Sequence, residues 1–545
     1  MPGGGGVPAN MSMTPRPRAF IRFLPLAGIV ILLALITLNR LGASDVCGGS
    51  EAAMAVYVQQ MVEHHRLLFP LDNCTIPMYK PPLYHWTAAG LAHLLDETSA
   101  TPFNLRLPSA LYAIGGAILT MAFAASLLGM RGAILSGLIL CGSYQYVSQA
   151  RIGLVDMTLT FCETLALYTF FWWFTLDRGR PDVARRRTVL HYLFAIAMGL
   201  GVLAKGPVGA ILPGAAILLF LVTERNWPAL RALFKPGPLM AGGVTASSWY
   251  LACLIGRRYA FLHLQIDSEN FGRFFGSLGE MPPWYYLTPL LFNSLPLSLF
   301  VPIAVITALI SRRIWQPADS AELLQSVALS SRRNRAVSAA RLLALFWIAT
   351  VVFFDLAAYK RRDYLLPLWP AAAVLLAWWI IDWIIPRLTS LRGAIVYRVA
   401  LGVCLVLAAA NFLFLPAYEL HQCGAPFTPA ALFRWPSNGF AGESSGDTGQ
   451  AKSYRAAAAR INQLASPEAP LYTYGFQDAL EPLVFYLDRC ARPLPRPLTA
   501  PRDGYVIVPA QAWARAGSHI SSLTQVAKIP YDKNDLILLR PTPRQ

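Results

Sequence analysis

Residues 20–41 read FIRFLPLAGIVILLALITLNRL. This run is nearly unbroken apolar sequence, and about 20 such residues cover the hydrocarbon core of a bilayer. Arg16, Arg18 and Arg22 stand at its N-terminal edge, and no small-residue cleavage site follows. It therefore reads as a retained span and not as a removed leader. Ten further apolar runs follow, at 106–127, 132–149, 153–176, 190–204, 207–223, 236–256, 285–310, 341–358, 364–385 and 394–416. Of the 545 residues 55% are hydrophobic and only 14% charged, and the mean hydropathy is +0.45. That excludes an ordinary soluble enzyme. The expectation is a mainly α, polytopic membrane protein of about eleven transmembrane helices.

The formal charge of +17 would suggest a nucleic-acid partner in a soluble chain. Here the arginines sit in short connections: DRGRPDVARRR at 177–187, ERNWPALRALFK at 224–235, the segment 311–341, and PRLTSLR at 386–392. With the N-terminus inside and the spans alternating, all of these fall in the cytoplasm, as the positive-inside rule requires. No nucleic-acid partner is expected. The extracytoplasmic side receives the loop 42–105, the turns near 150, 205 and 359–363, the segment 257–284 and the tail.

Three regions result: a disordered cytoplasmic N-terminus at 1–19, a transmembrane domain at 20–417, and a small extracytoplasmic α/β domain at 418–545. In the outer loop, SEAAMAVYVQQMV (50–62) and PLYHWTAAGLAHLL (82–95) have the spacing of helices lying at the membrane surface, and Ser50 suits a cap for the first. In the tail, 436–450 is a polar glycine-rich loop. Helical stretches at 451–465 and 479–489 then alternate with strand-like LYTYG (471–475), GYVIVP (504–509) and LILL (536–539). Cys141, Cys162, Cys253 and Cys404 lie in spans. Cys47 and Cys74 share the outer loop and Cys423 and Cys490 share the tail, so Cys47–Cys74 and Cys423–Cys490 are the candidate disulfides.

Charged residues near hydrocarbon tend to mark sites. On the outer side they are Glu51, Lys80, Arg151, Asp156, Lys205, Glu269, Arg273, Lys360, Arg361 and Arg362. Cations and carboxylates gathered on one face suit an anionic ligand together with acid–base or binding carboxylates. In YKPPLYHW (79–86) the prolines hold Lys80 extended at the mouth of a helix that begins after Pro82. Plainer readings exist: Lys80 as an interfacial cation, Glu51 as a first-turn carboxylate, Asp156 as a partner of Arg151. His64, His65 and Cys74 lack zinc-site spacing, and no metal or other cofactor is expected.

Six motifs in order, SEAAMAVYVQQM (50–61), YKPPLYHW, RIGLVDMTLTF (151–161), LAKGPVG (203–209), SENFGRF (268–274) and KRRDYLLPLWP (360–370), resemble the membrane-embedded glycosyltransferases that use polyprenyl-phosphate sugars. These are the aminoarabinose lipid A transferases and their protein O-mannosyltransferase-type relatives, of GT-C fold. The resemblance covers roughly residues 20–416. It implies that Lys80, Arg273, Tyr364 and Lys360 bind the donor phosphate and that Glu51 and Asp156 are catalytic. Tyr84, Lys205, Glu269 and Asn270 are further site candidates. The family's Asp before Glu51 is Ser50 here, and its following Arg and Tyr are Ala53 and Met54. The implied activity is inverting transfer from a polyprenyl (undecaprenyl) phosphate to lipid A or another glycan, in the bacterial inner membrane. A protein acceptor, a lipid or solute transporter and a non-catalytic scaffold are the alternatives.

Overall fold

The computed structural model describes residues 23–73, 76–176, 181–276, 279–311, 323–422, 454–476 and, with short breaks, 481–542. The N-terminal stretch 1–19, the loop 436–450, Cys74 and Cys423 lie outside the described residues.

Within the described residues each of the eleven apolar runs contains helix. Among the described residues six helices are long and apolar enough to cross a membrane: Pro102–Leu128, Val183–Lys205, Pro236–Ile255, Arg332–Leu356, Leu368–Arg387 and Ser390–Leu420. Four apolar helices are shorter, Leu24–Leu38, Met130–Gly142, Val208–Thr223 and Leu297–Ile310. The remaining helix, Val155–Thr175, carries Asp156 and Glu163. Two runs are not single helices. The run 132–149 breaks at Ser143, whose hydroxyl accepts from the Tyr146 N–H and starts a second short helix. The run 285–310 divides into Leu287–Phe292 and Leu297–Ile310, with Pro296 at the break; proline cannot supply the amide that a continuing helix needs.

Large apolar side chains such as Ile118, Leu218, Ile255 and Val406 point outward and are exposed, as a lipid-facing surface requires. Helix starts are set locally. Thr101 and Asn104 form a reciprocal capping box, with Pro102 at the first helical position. Helices Pro181–Lys205 and Val208–Thr223 meet at Gly201 and Gly209, where a Cβ on Gly209 would lie 2.2 Å from the Gly201 carbonyl carbon. Small residues allow such backbone approach where no hydrophobic force drives helices together.

The first outer-loop helix runs Gly49–Val62, with Gly48 and not Ser50 at its N-cap. It is also not a one-sided surface helix: residues from Glu51 to Gln59 are all buried. The tail explains this, because helix Glu481–Leu487 packs over it and brings Val484 and Phe485 into the same apolar cluster. The second outer helix spans Leu83–Leu94 and follows Pro82, as the two prolines lead one to expect.

The outer loop carries a two-stranded hairpin, β1 (Leu71–Asp72) and β2 (Ile76–Pro77). The tail forms a five-stranded mixed sheet. Its strands are β3 (Leu471–Thr473), β4 (Ala491–Pro493), β5 (Tyr505–Pro509), β6 (Leu523–Ile529) and β7 (Leu536–Pro541), in the order β4-β3-β5-β7-β6. The strands β3 and β4 and β3 and β5 pair in parallel, the other neighbours antiparallel. The sequence reading missed β4 and β6. The strand β4 is only three residues long, and β6 shows an exposed, largely polar face with burial concentrated at its ends. Loop and tail are joined: the Asn73 side chain donates to the Ala491 carbonyl at 2.6 Å and accepts its N–H at 2.7 Å, and the Tyr486 hydroxyl accepts the Val46 N–H at 2.9 Å.

Candidate functional site

Lys80 follows Tyr79 and precedes two prolines, so its backbone has little freedom to turn away. Its ammonium is ion-paired with Glu269. Glu269 sits on a π-helix, Leu264–Gly272. Its carboxylate also accepts from Arg273 at 2.9 Å, and the other end of that guanidinium donates to the Tyr364 hydroxyl at 3.1 Å. Two cations thus share one carboxylate, leaving the group one positive charge in excess. Burial pushes the Lys80 ammonium down to about 8, with Glu269 opposing the shift and Arg273 adding to it. Burial alone would raise the Glu269 carboxyl, but Lys80 and Arg273 outweigh it and hold it below its ordinary value.

Backbone pairing brings these distant segments together. The Ala358 and Tyr359 amides donate to the Phe274 and Arg273 carbonyls, and the Met281 amide donates to the Ala358 carbonyl. The segment bearing Arg273 is thereby laid along the turn that leads to Tyr364.

Lys205 ends its helix, where a cation is favoured by the helix dipole. Gly206 then turns with φ +97°, a conformation that favours glycine. A Cβ there would lie 2.6 Å from the Gln265 amide nitrogen, so glycine lets the π-helix pack on this turn. Lys205 is ion-paired with Asp156 and lies 4.4 Å from the Tyr364 ring centre. Lys80, Lys205, Glu269, Arg273, Tyr364 and Asp156 therefore form one connected cluster.

The remaining candidates stand elsewhere. Glu51 is gripped by both ends of the buried Arg106 guanidinium at 2.8 and 3.0 Å and accepts the Gly153 N–H at 2.8 Å. Arg106 also donates to the Leu41, Ser44 and Asp45 carbonyls, so this pair knits the first outer loop to the bundle. Tyr84 is wholly buried and donates to the Leu105 carbonyl at 2.6 Å. Asn270 donates to the Gln265 carbonyl within the π-helix. Lys360 is buried and donates to the Ala357 carbonyl at 2.7 Å, neutralising the end of the preceding helix and not joining the cluster. Arg151 does not meet Asp156: it holds Glu419 with two bonds, at 2.6 and 2.8 Å, and the Ile36 and Thr37 carbonyls at the end of the first apolar helix.

A cavity of about 400 Å³ lies next to the segment that carries Tyr364, being walled in part by Arg361 and Asp363, while none of the six cluster side chains lines it. Ser50, Glu51, Gln149, Asn293, Arg361 and Asp363 are among its walls. Arg361 joins the two regions. It donates to the Ser50 hydroxyl at 3.3 Å and to Asp363 at 2.8 Å, and the Asp156 carboxylate is among the charges that hold its guanidinium protonated. Arg106, Asp363, Glu419 and Gln145 were not singled out from sequence. An arginine inside an apolar helix, as Arg106 is, was the one available signal. Among the described residues no group of three or more His, Cys, Asp or Glu side chains is placed to hold a metal ion.

Residues 79–249 match the family model described as dolichyl-phosphate-mannose-protein mannosyltransferase. An uncharacterized protein of Aquifex aeolicus is 26% identical over 351 residues, 64% of this chain and 62% of its own length. The undecaprenyl phosphate-alpha-4-amino-4-deoxy-L-arabinose arabinosyl transferase of Aeromonas salmonicida is 26% identical over 302 residues, 55% of this chain. The chain spans only 49% of that relative's length. ArnT from Cupriavidus metallidurans, solved bound to undecaprenyl phosphate, superposes with a TM-score of 0.70 at 17% identity, covering 96% of this chain and 98% of its own. The chain has the GT-C fold, and its sequence relatives include undecaprenyl phosphate-aminoarabinose arabinosyl transferases.

Proposed function

We propose that this chain is an integral-membrane glycosyltransferase that moves a sugar from polyprenyl (undecaprenyl) phosphate to an extracytoplasmic acceptor such as lipid A or another glycan. One observation carries the reading. Lys80, Arg273 and Tyr364 come from three distant segments and meet around Glu269 with one net positive charge. A sugar-linked polyprenyl phosphate is a diester with one negative charge, which that excess matches.

Transfer breaks the bond between the anomeric carbon and the phosphate oxygen. The bonding electrons stay on the phosphate, which becomes a monoester with a second negative charge. Lys80 and Arg273, fixed in a partly buried site, stabilise that charge as it develops, and Lys205 lies at the edge of the same cluster. The acceptor oxygen attacks from the opposite face, so the anomeric centre inverts. Glu51 and Asp156 are each already paired with a cation. An acceptor that arrives ionised, such as a phosphate oxygen, therefore suits the site better than a hydroxyl that needs a base.

The N-terminus lies in the cytoplasm, the loop 42–105 and the domain 418–545 lie outside, and the membrane domain runs from 20 to 417. Reporter fusions after residues 187 and 280 should read inside and outside, and the reverse would sink this orientation. The activity is tested with full-length protein in proteoliposomes and an undecaprenyl-phosphate sugar labelled in the sugar. Label should pass to the extracted acceptor lipids or glycans and undecaprenyl phosphate should be released. Intact donor after prolonged incubation with native outer lipids would overturn the assignment.

A further inference from the structure

On the donor reading above, the carrier bears a sugar that the protein must also hold. The cavity beside the phosphate cluster is where that sugar would lie, and 400 Å³ is on the scale of small-molecule pockets. Its carboxylates are already paired with cations. Glu51 is held by Arg106, Asp363 by Arg361, Glu419 by Arg151 and Asp45 by Arg455. In the adjoining cluster Asp156 is held by Lys205, and Glu269 by Lys80 and Arg273. Arg362 lines the cavity, is exposed, and has no ion pair among the described residues. Asp355 has an oxygen without a partner, but it lines neither region.

Neutral hydrogen-bonding groups are what the cavity leaves open. The Gln149 carbonyl oxygen and the Asn293 amide nitrogen are buried atoms without a partner, and both residues line it. Buried polar atoms are normally satisfied, and an unsatisfied one is costly. One unpaired acceptor and one unpaired donor, on two residues that line the same space, match sugar hydroxyls, which both give and take hydrogen bonds. The Ser50 hydroxyl on the same wall adds a third uncharged group.

We infer that the transferred sugar is an uncharged hexose or pentose, held through its hydroxyls by Gln149 and Asn293, and not a sugar carrying an ammonium. An ammonium entering this cavity would find every lining carboxylate engaged and an uncompensated guanidinium nearby. It would lose its hydration without gaining a partner.

The test uses the full-length protein in nanodiscs and displacement of labelled undecaprenyl phosphate. The competitors are undecaprenyl phosphates bearing arabinose, xylose, glucose, galactose or mannose, the 4-amino-4-deoxy form of arabinose, and that form N-acetylated. At least one neutral-sugar donor should bind tenfold or more tighter than the amino form, and N-acetylation should recover part of the loss. Gln149→Leu should weaken that neutral donor severalfold while leaving undecaprenyl phosphate itself unchanged. If the amino-sugar donor binds as well as every neutral one, or Gln149→Leu leaves the neutral donor unaffected, the sugar assignment is overturned and the carrier reading stands. If undecaprenyl phosphate itself fails to bind, both are overturned.

Discussion

Removing Lys80 and Arg273, singly and together, tests the shared carboxylate most directly. A hydrogen bond to a charged group contributes about 1.5–3 kcal/mol, so each alanine variant should weaken undecaprenyl phosphate binding by roughly 10- to 150-fold. In either single variant the surviving cation still neutralises Glu269, and the cluster falls from one net positive charge to none. In the double variant Glu269 is left as a bare carboxylate facing the phosphate. The net charge falls in equal steps, so the double loss should be close to the sum of the two single losses. Adding Glu269→Gln to the double variant should recover part of it by removing the repulsion. Binding is measured by displacement of labelled undecaprenyl phosphate in nanodiscs, with thermal unfolding recorded alongside. Single variants that are well folded and bind as the parent does would refute the phosphate site. No recovery by Glu269→Gln would refute the role given to the shared carboxylate.

Donor binding should depend on pH. The Lys80 ammonium is charged below about 8 and neutral above it, and phosphate prefers the cation, so affinity should hold below that value and decline as pH rises through it; Lys80→Arg should flatten the decline, and a flat parent profile up to pH 9.5 would count against Lys80. Glu51→Gln breaks a buried pair, which typically costs about 3–5 kcal/mol, so a clear fall in melting temperature is expected; parent-like melting with abolished transfer would instead favour a direct catalytic role. Cys47 and Cys490 are each half of a disulfide, and non-reducing peptide maps from intact cells should find both cross-linked. Asn73 grips Ala491, so the Cys490 peptide is expected to be joined to one from the outer loop 42–105 in place of the Cys423–Cys490 link that the sequence suggested, and a link confined to the tail would instead support Cys423–Cys490.

Sequence alone determined what depends on local pattern and on solvent. Runs of apolar residues near bilayer length are helical wherever they occur, because the backbone has no other way to satisfy its polar groups in hydrocarbon. Loop arginines set an expected orientation by the same kind of one-dimensional count, which the reporter fusions test. The helix after Pro82 followed from proline geometry, and the resemblance of six short motifs pointed to Lys80, Arg273 and Tyr364 without distances. Tertiary structure decided which charges meet. Glu51 and Glu269 look alike as isolated outer carboxylates, yet one is locked by an arginine inside an apolar helix, 55 residues away, and the other bridges two cations. Lys360 lies four residues from Tyr364 in sequence, but its ammonium caps a helix end and does not enter the cluster. The burial of helix Gly49–Val62 depends on a tail segment more than 400 residues later. Ion pairing falls steeply with distance and desolvation, and both are set by how separate helices pack, which no local periodicity records.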